Sequence, residues 1–452
     1  MKFIRNKGGN YHFLIEFRVL LFLLIVSFFS NSCSSGGNED NTGPIPIDTE
    51  LRADASIITP TVTYQTISGF GGANRMWGTQ SLKPNEAAKA FGTGDGQLGL
   101  SIFRVRLSSN KTEWPIIVEA VKNANSYGVK VLACPWSPPA ELKSNNSDVG
   151  GYLLPENYEA FKDYINEFII YMSSNGATID VVSIQNEPDW HPTYESCDYT
   201  ADDFINFFKA PGSIVGAKVA APESLNFNQT MTNAILSDDT ASNSIDIVTG
   251  HIYGGGIAEF PLAEQKNKEI WMTEYLLNLN SGNSGAPKWS TYSEGAKWDE
   301  TITMLKSIHD AMMVNWNAYV WWYLQRFYSF IGDGEEGTVN GTVLKRGFAF
   351  SNFSKFVRPG YKRIDATESP KTGLYVSAYT GNDQTVIVAI NTTGSDINQQ
   401  FSITGTLATS VTPYVSSLTK NLEKQSLVDI LSEIDAFNFL LPAKSITTFV
   451  IN

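Results

Sequence analysis

Four histidines and three cysteines are all that the 452 residues supply, and no CxxC pair is among them. That is too few soft ligands, too scattered, for a zinc or iron–sulfur centre, and no metal or other cofactor is expected. Basic residues are also in short supply: 33 Lys and Arg stand against 46 Asp and Glu, for a net charge of −13. Such a chain is not built to neutralise phosphates, which excludes nucleic acid as a partner. No GxGxxG opens a helix, and "GGG" at 254–256 reads as a loop rather than a phosphate cradle. No internal repeat is visible. Charged residues reach only 17%, too few for a disordered chain.

Long hydrophobic runs are missing too, apart from Val19 to Phe29, which is too short to span a bilayer as a mature helix. Lys2, Arg5, Lys7 and Arg18 precede that run and "SNSCSSGGNED" follows it, which marks a targeting segment. The arrangement resembles a bacterial lipoprotein signal over residues 1–33, in which cleavage leaves Cys33 as the lipid-carrying first residue. Ser30 stands where such signals usually have an apolar residue; a cleaved secretory peptide without lipid is the competing reading. Glu39 and Asp40 look like the surface-export signals of Bacteroidetes lipoproteins, so an outer-membrane protein exposed at the cell surface is expected. Residues 34–50, rich in Ser, Gly, Asn and Pro, read as a flexible tether. Membrane contact is then expected only through that anchor, and the protein is expected to be a monomer. Cys134 and Cys197 remain; pairing is open to them in an exported chain, but Cys134 falls inside a strand-like run, which favours two free thiols.

What the chain has in quantity is aromatic: 12% of residues, with ten Trp and nineteen Tyr. Rings of that kind stack on the C–H faces of sugars, although most of them must be ordinary core. Apolar strand-like runs alternate with helix-like stretches from about 64 to 360. The runs are "TISGFGG" (66–72), "SIFRVRL" (101–107), "VKVLACPW" (129–136), "VVSIQNEP" (181–188), "AKVAAPES" (217–224), "IDIVTGHIY" (245–253), "EIWMTEY" (269–275) and "AYVWWYL" (318–324). Helical stretches such as 158–176 and 298–315 lie between them, the latter with Asp299 and Glu300 in its first turn. Eight strand–helix units predict a (β/α)8 TIM barrel over 66–357. From 358 to 452 the texture changes to short alternating strands between Gly, Asn, Asp and Thr turns, an antiparallel β-sandwich side domain. Residues 51–65 are expected to cross over and pair with it.

Two barrel strands end in carboxylates. Val181, Val182 and Ile184 form a run fit for burial on both faces, and it breaks at Asn186, Glu187 and Pro188. "EIWMTEY" breaks in the same way at Glu274. A buried carboxylate is costly unless it is paired or used, and the C-terminal lip of barrel strands is where active sites are built. Glu187 closes the fourth strand and Glu274 the seventh, so their side chains can converge over the barrel mouth. Two carboxylates across a sugar are the minimum apparatus for glycoside hydrolysis.

"SGFGGANRMW", "CPWSPP", "SIQNEP", "WMTEY", "AYVWWYLQR" and "KRGFAFSNFSKFVRPGYKRIDAT" together resemble glycoside hydrolase family 30, most closely its glucuronoxylanase subfamily of bacterial endo-β-1,4-xylanases. The resemblance runs from about Tyr64 to Asn452. It implies a barrel fused to a β-sandwich-like domain, hydrolysis with retention, and glucuronoxylan as the polysaccharide partner. It implies Glu187 as general acid/base and Glu274 as nucleophile, with Asn186 on the sugar 2-hydroxyl. Trp136 and Trp77 would wall the central subsite, and Tyr253 would hydrogen-bond the nucleophile. Strand alternation lets only one of Trp321 and Trp322 face inward, and the resemblance favours Trp322. Arg326, with Tyr328 and Ser284, would hold the carboxylate of a methylglucuronate branch.

Two departures stand against the last assignment. Leu276 replaces the family's tyrosine two residues after the nucleophile, and the loop after the eighth strand adds Asp333, Glu335 and Glu336. A family enzyme acting on unsubstituted xylan or another β-glycan is therefore one alternative. A surface glycan-binding lipoprotein without catalysis is another, opposed by the presence of both glutamates.

Overall fold

The computed structural model describes residues 50–78, 81–279, 287–405 and 408–452. Cys33 and Ser284 lie outside the described residues, so their expected roles have no structural counterpart here.

All eight barrel strands form where apolar runs predict them. β1 (Ser56–Thr66) comes first in the chain and lies outside the barrel. The staves are β2 (Gly69–Ala73), β3 (Ile102–Leu107), β4 (Lys130–Pro135), β5 (Val181–Ser183), β6 (Lys218–Ser224), β7 (Ile247–His251), β8 (Glu269–Glu274) and β9 (Ala318–Trp321). Each pairs in parallel with the next, and β9 pairs with β2 to close the barrel. Alternation sorts what the barrel holds. Ile102, Leu132, Val181, Ala220, Ile247, Trp271, Ala318 and Val320 pack as an apolar plug inside it. Two residues further along several of the same strands come Arg104, Cys134, Ser183, Thr249 and Thr273, all buried. A period of two therefore places polar side chains one layer above the apolar plug, toward the C-terminal mouth. In β2 glycine is required for space: a Cβ on Gly72 would come within 2.8 Å of the Leu324 Cβ.

The fourth strand is shorter than the sequence suggests. The ladder of β5 stops at Ser183, four residues before Glu187. Glu187 has φ 45°, a left-handed conformation costly for a non-glycine residue, which ends regular pairing. Its backbone partners persist: Asn186 N donates to Pro135 O at 2.8 Å, and Glu187 N donates to Glu223 O at 3.0 Å. β7 likewise ends at His251, two residues before Tyr253.

The side domain is one curled sheet of nine strands. It comprises β1 with β10 (Lys362–Ala366), β11 (Leu374–Gly381), β12 (Gln384–Asn391), β13 (Ile397–Ile403), β14 (Val411–Ser416), β15 (Glu423–Lys424), β16 (Ala436–Leu441) and β17 (Ser445–Ile451). The strand order is β15-β14-β17-β12-β11-β10-β1-β13-β16. Every pair is antiparallel except β1 with β13, so the N-terminal strand joins this domain between β10 and β13. Curling brings its two ends face to face like a sandwich: Phe449 of β17 meets Phe401 of β13 and Phe437 of β16 at 5.0 and 5.1 Å between ring centroids. The other face packs on the barrel helices, sharing one apolar core through Val388, Ile390, Ile446, Ile308 and Phe353. Cys134 and Cys197 are buried free thiols. No helix among the described residues is long and apolar enough to cross a membrane.

Candidate active site

The polar layer at the barrel mouth is one connected cluster of charges. Arg104, fully buried on β3, binds a Glu274 carboxylate oxygen through Nη1 and Asn186 Oδ1 through Nη2 at 2.7 Å. Its Nη2 also lies 3.8 Å from Glu223 Oε2, and its guanidinium stacks 4.9 Å over the Trp136 ring. His251 stands between two carboxylates, with Nδ1 2.9 Å from Glu187 Oε1 and Nε2 3.1 Å from Glu223 Oε2. Glu223 also accepts from the hydroxyls of Ser183 and Thr273. Tyr253 donates its hydroxyl to Glu274 Oε1 at 2.9 Å.

Backbone irregularity aims these groups. The β6–β7 register shifts between Pro222 and Ser224, and Glu223 has φ 60°. The β7–β8 register shifts between Gly250 and His251. A bulge inserts a residue and redirects the side chains around it. Here it turns Glu223 and His251 into the same space as Glu187.

Electrostatics follows from burial set against neighbours. Burial works against charge on Glu223, yet Arg104 and the hydrogen bonds from His251 and Ser183 hold its carboxyl down at about 2. Burial also works against the His251 proton, but the carboxylates of Glu274, Glu187 and Glu223 raise the imidazole to about 9. At neutral pH it is an imidazolium that donates on both sides. Burial raises the Glu274 carboxyl and the charge of Glu187 adds to that, while His251, Arg104 and the Tyr253 hydroxyl act in the other direction.

One ligand atom each from Glu187, His251 and Glu274 lie within 4.8 Å of one another. That spacing would suit a cation, but the donor chemistry does not. A protonated imidazole has no lone pair to give, and Arg104 already engages Glu274.

Above the cluster opens a cleft of about 840 Å³ lined by Trp77, Trp136, Glu187, Trp190, Tyr194, Leu225, Tyr253, Glu274, Leu276, Trp322 and Tyr323. Trp136 packs edge-on against Trp77 at 5.4 Å, and Trp322 stacks on Tyr323 at 4.2 Å. Trp321 is buried in the shell around the barrel, whereas Trp322 faces the cleft. Trp77 is 40% exposed and its indole donates to the buried Glu195 at 3.3 Å.

The structure thus brings Glu187, Glu274, Asn186, Trp136, Tyr253, Trp322 and Trp77 together. It leaves Arg326 and Tyr328 out of the cleft lining. Tyr328 is buried with Phe327, Trp289, Leu276 and Trp322, and Arg326 is engaged by Asp333 and Glu335. Sequence reasoning missed Arg104, Glu223, Tyr194 and Tyr323. The signal for Arg104 was present: a lone arginine between Phe103 and Val105 in a strand buried on both faces needs a partner.

No family model matches the chain. The chain is 36% identical over 418 residues to the glucuronoxylanase XynC of Bacillus subtilis (strain 168), covering 90% of this chain and 94% of that protein. Among solved structures it is similar to the family 30 subfamily 8 xylanase Xyn30A from Clostridium acetobutylicum, with TM-score 0.78 and 35% identity over 88% of this chain and all of that one. It is similar also to a family 30 endoxylanase from Clostridium papyrosolvens C71, with TM-score 0.76 and 33% identity over 88% of this chain and 100% of that one. With its barrel, side sheet and two carboxylates at the mouth, the chain is a glycoside hydrolase and belongs to family 30, in its glucuronoxylanase-like branch.

Proposed function

We propose that the protein is a retaining endo-β-1,4-xylanase acting on glucuronoxylan, with Glu274 as nucleophile and Glu187 as general acid/base. The observation that carries this reading is that an oxygen of Glu187 and one of Glu274 lie within 4.8 Å at the mouth of an aromatic cleft. Retention places the two carboxyl groups about 5–5.5 Å apart so that one reaches the anomeric carbon; inversion needs about 6.5–9.5 Å to admit a water. A cleft of this size with aromatic walls suits a run of sugar units.

Charge balance supports the order of events. Arg104 and His251 contribute two positive charges, and Glu187, Glu223 and Glu274 contribute three carboxylates. One proton on Glu187 makes the buried cluster neutral. Because His251 Nδ1 donates to Glu187 Oε1, the acid proton belongs on Oε2, the oxygen left for the leaving group. Glu274 attacks the anomeric carbon as the C–O bond breaks, and Glu187 gives its proton to the departing hydroxyl. Glu274 is then a neutral ester and Glu187 a carboxylate, so the cluster is neutral again. Glu187 next takes a proton from water, which displaces Glu274. A buried site that keeps the same net charge through both halves avoids a large solvation penalty. Asn186, whose Oδ1 accepts from Arg104, is the proposed contact for the sugar 2-hydroxyl.

Arg326 is the proposed contact for a methylglucuronate carboxylate, since a guanidinium fork suits a carboxylate and a neutral backbone offers it nothing. An uncontested pair of this kind would be worth roughly ten- to hundredfold. Because Asp333 and Glu335 already share the guanidinium, Arg326→Ala should cost glucuronoxylan about three- to tenfold relative to debranched xylan. Equal losses on both in a reducing-sugar assay would remove Arg326 from recognition. A lipid anchor at Cys33 that holds the enzyme at the outer surface completes the proposal. Cys33→Ala should then release it from the membrane fraction.

A further inference from the structure

Arg326, Asp333 and Glu335 of the loop after β9 meet Arg75, which follows β2, in a patch of four charges that the hydrolytic steps do not use. Asp333 is buried and shared by two arginines, with Oδ2 2.8 Å from Arg75 Nη2 and 3.2 Å from Arg326 Nη1. It is also fixed from its own loop, since Glu335 N donates to Oδ1 at 3.1 Å. Glu335 differs. Its side chain is 53% exposed, and its carboxylate lies 2.9 Å from the same Arg326 Nη1. Both acids use that one nitrogen; among the described residues nothing else engages Nη2 or Nε of Arg326. Two arginines and two carboxylates leave the patch without net charge. Take Glu335 away and the patch is +1, with a free guanidinium edge.

We propose that Glu335 is a tethered stand-in for the branch carboxylate. It occupies Arg326 in the free enzyme, competes with an incoming uronate, and thereby narrows the enzyme's preference for branched over unbranched xylan. This rests on the reading of Arg326 as the branch contact. A carboxylate tethered within the same loop as its arginine competes at an effective concentration of about the millimolar range, which a branch on a dissolved polymer does not easily exceed. Half exposure keeps each contact weak and therefore exchangeable. Asp333 does not leave, because it is buried under two arginines. It orients Arg326 while halving the charge offered to a ligand. Leu276 fits the same picture: two residues after the nucleophile, on the cleft wall, it has no hydroxyl of its own to offer a uronate.

The test compares kcat/KM on glucuronoxylan and on debranched xylan for wild type, Glu335→Gln, Arg326→Ala and the double variant. Glu335→Gln should raise efficiency on glucuronoxylan about two- to fivefold, mainly through KM, and change the debranched value by less than twofold. The gain should vanish in Arg326→Ala/Glu335→Gln. If Glu335→Gln leaves the branched-to-debranched ratio unchanged while Arg326→Ala lowers it, the competition is wrong and the branch contact stands. If Arg326→Ala does not lower that ratio either, Arg326 is not the branch contact and the inference falls with it.

Discussion

Two clusters in this molecule have the same chemical composition in outline and different fates. Under the cleft, Glu223 lies between Arg104 and His251, and all three are fully buried. On the loop after β9, Asp333 lies between Arg75 and Arg326, with a second acid, Glu335, half in water. In the first, no carboxylate can change partner without leaving a charge uncompensated in a medium that solvates it poorly. In the second, water can take over any contact that Glu335 gives up. Burial decides which arrangement is fixed machinery and which can trade one anion for another.

The comparison breaks most visibly at the cleft. Glu274→Gln should reduce turnover of xylan by more than about a thousandfold, because it removes the nucleophile while the neighbouring hydrogen bonds survive in part. Glu187→Ala should cost about 10²–10⁴-fold on xylan and much less on an aryl glycoside, whose leaving group needs little protonation. If both substrates suffer alike, Glu187 is not the acid. Glu223→Gln should destabilise the fold by roughly 3–5 kcal/mol, measured by denaturant unfolding, because two buried cations lose their shared anion. It should also lower the pH at which His251 loses its proton, seen as an acid-ward shift of the alkaline limb of the pH–rate profile.

The same cluster sets a pH window for stability. Glu223, held at about 2 against an ordinary value of 4.5, stabilises fully above 4.5 and less as pH falls toward about 2. His251, raised to about 9 from 6.5, stabilises fully below 6.5 and less as pH rises toward about 9. The raised Glu274 carboxyl begins to cost stability as pH rises above its ordinary 4.5, which tilts the top of the window toward its acid end. Melting temperature should therefore be highest between about pH 4.5 and 6.5 and fall on both sides. At the rim, by contrast, Glu335→Gln should change stability by less than about 1 kcal/mol, as an exposed pair allows.

Much of this was legible in the sequence, for a physical reason. Parallel barrel strands are buried on both faces, so they appear as apolar runs, and a carboxylate that ends such a run is conspicuous. Glu187 and Glu274 stand out in that way. A strand's period of two let only one of Trp321 and Trp322 face the cleft, and the resemblance selected Trp322. The pairing of the buried charges was not legible. Arg104, Glu223 and His251 come from β3, β6 and β7, and each satisfies a charge far away in sequence. The end of β5 at Ser183 was hidden as well, because Ile184 continues the apolar pattern while the backbone leaves the ladder. The acids near Arg326 could be counted in advance, but not that Asp333 is locked between two arginines while Glu335 is half free.

The central claim is that hydrolysis passes through a sugar–enzyme ester, formed on Glu274, rather than through direct attack by water. Following the anomeric protons by NMR in the first minutes of xylan hydrolysis tests it most directly. The account predicts that the β-anomer of the new reducing end appears first and the α-anomer only later by mutarotation. If the α-anomer forms first, water attacked directly, and the assignment of Glu274 as nucleophile is wrong.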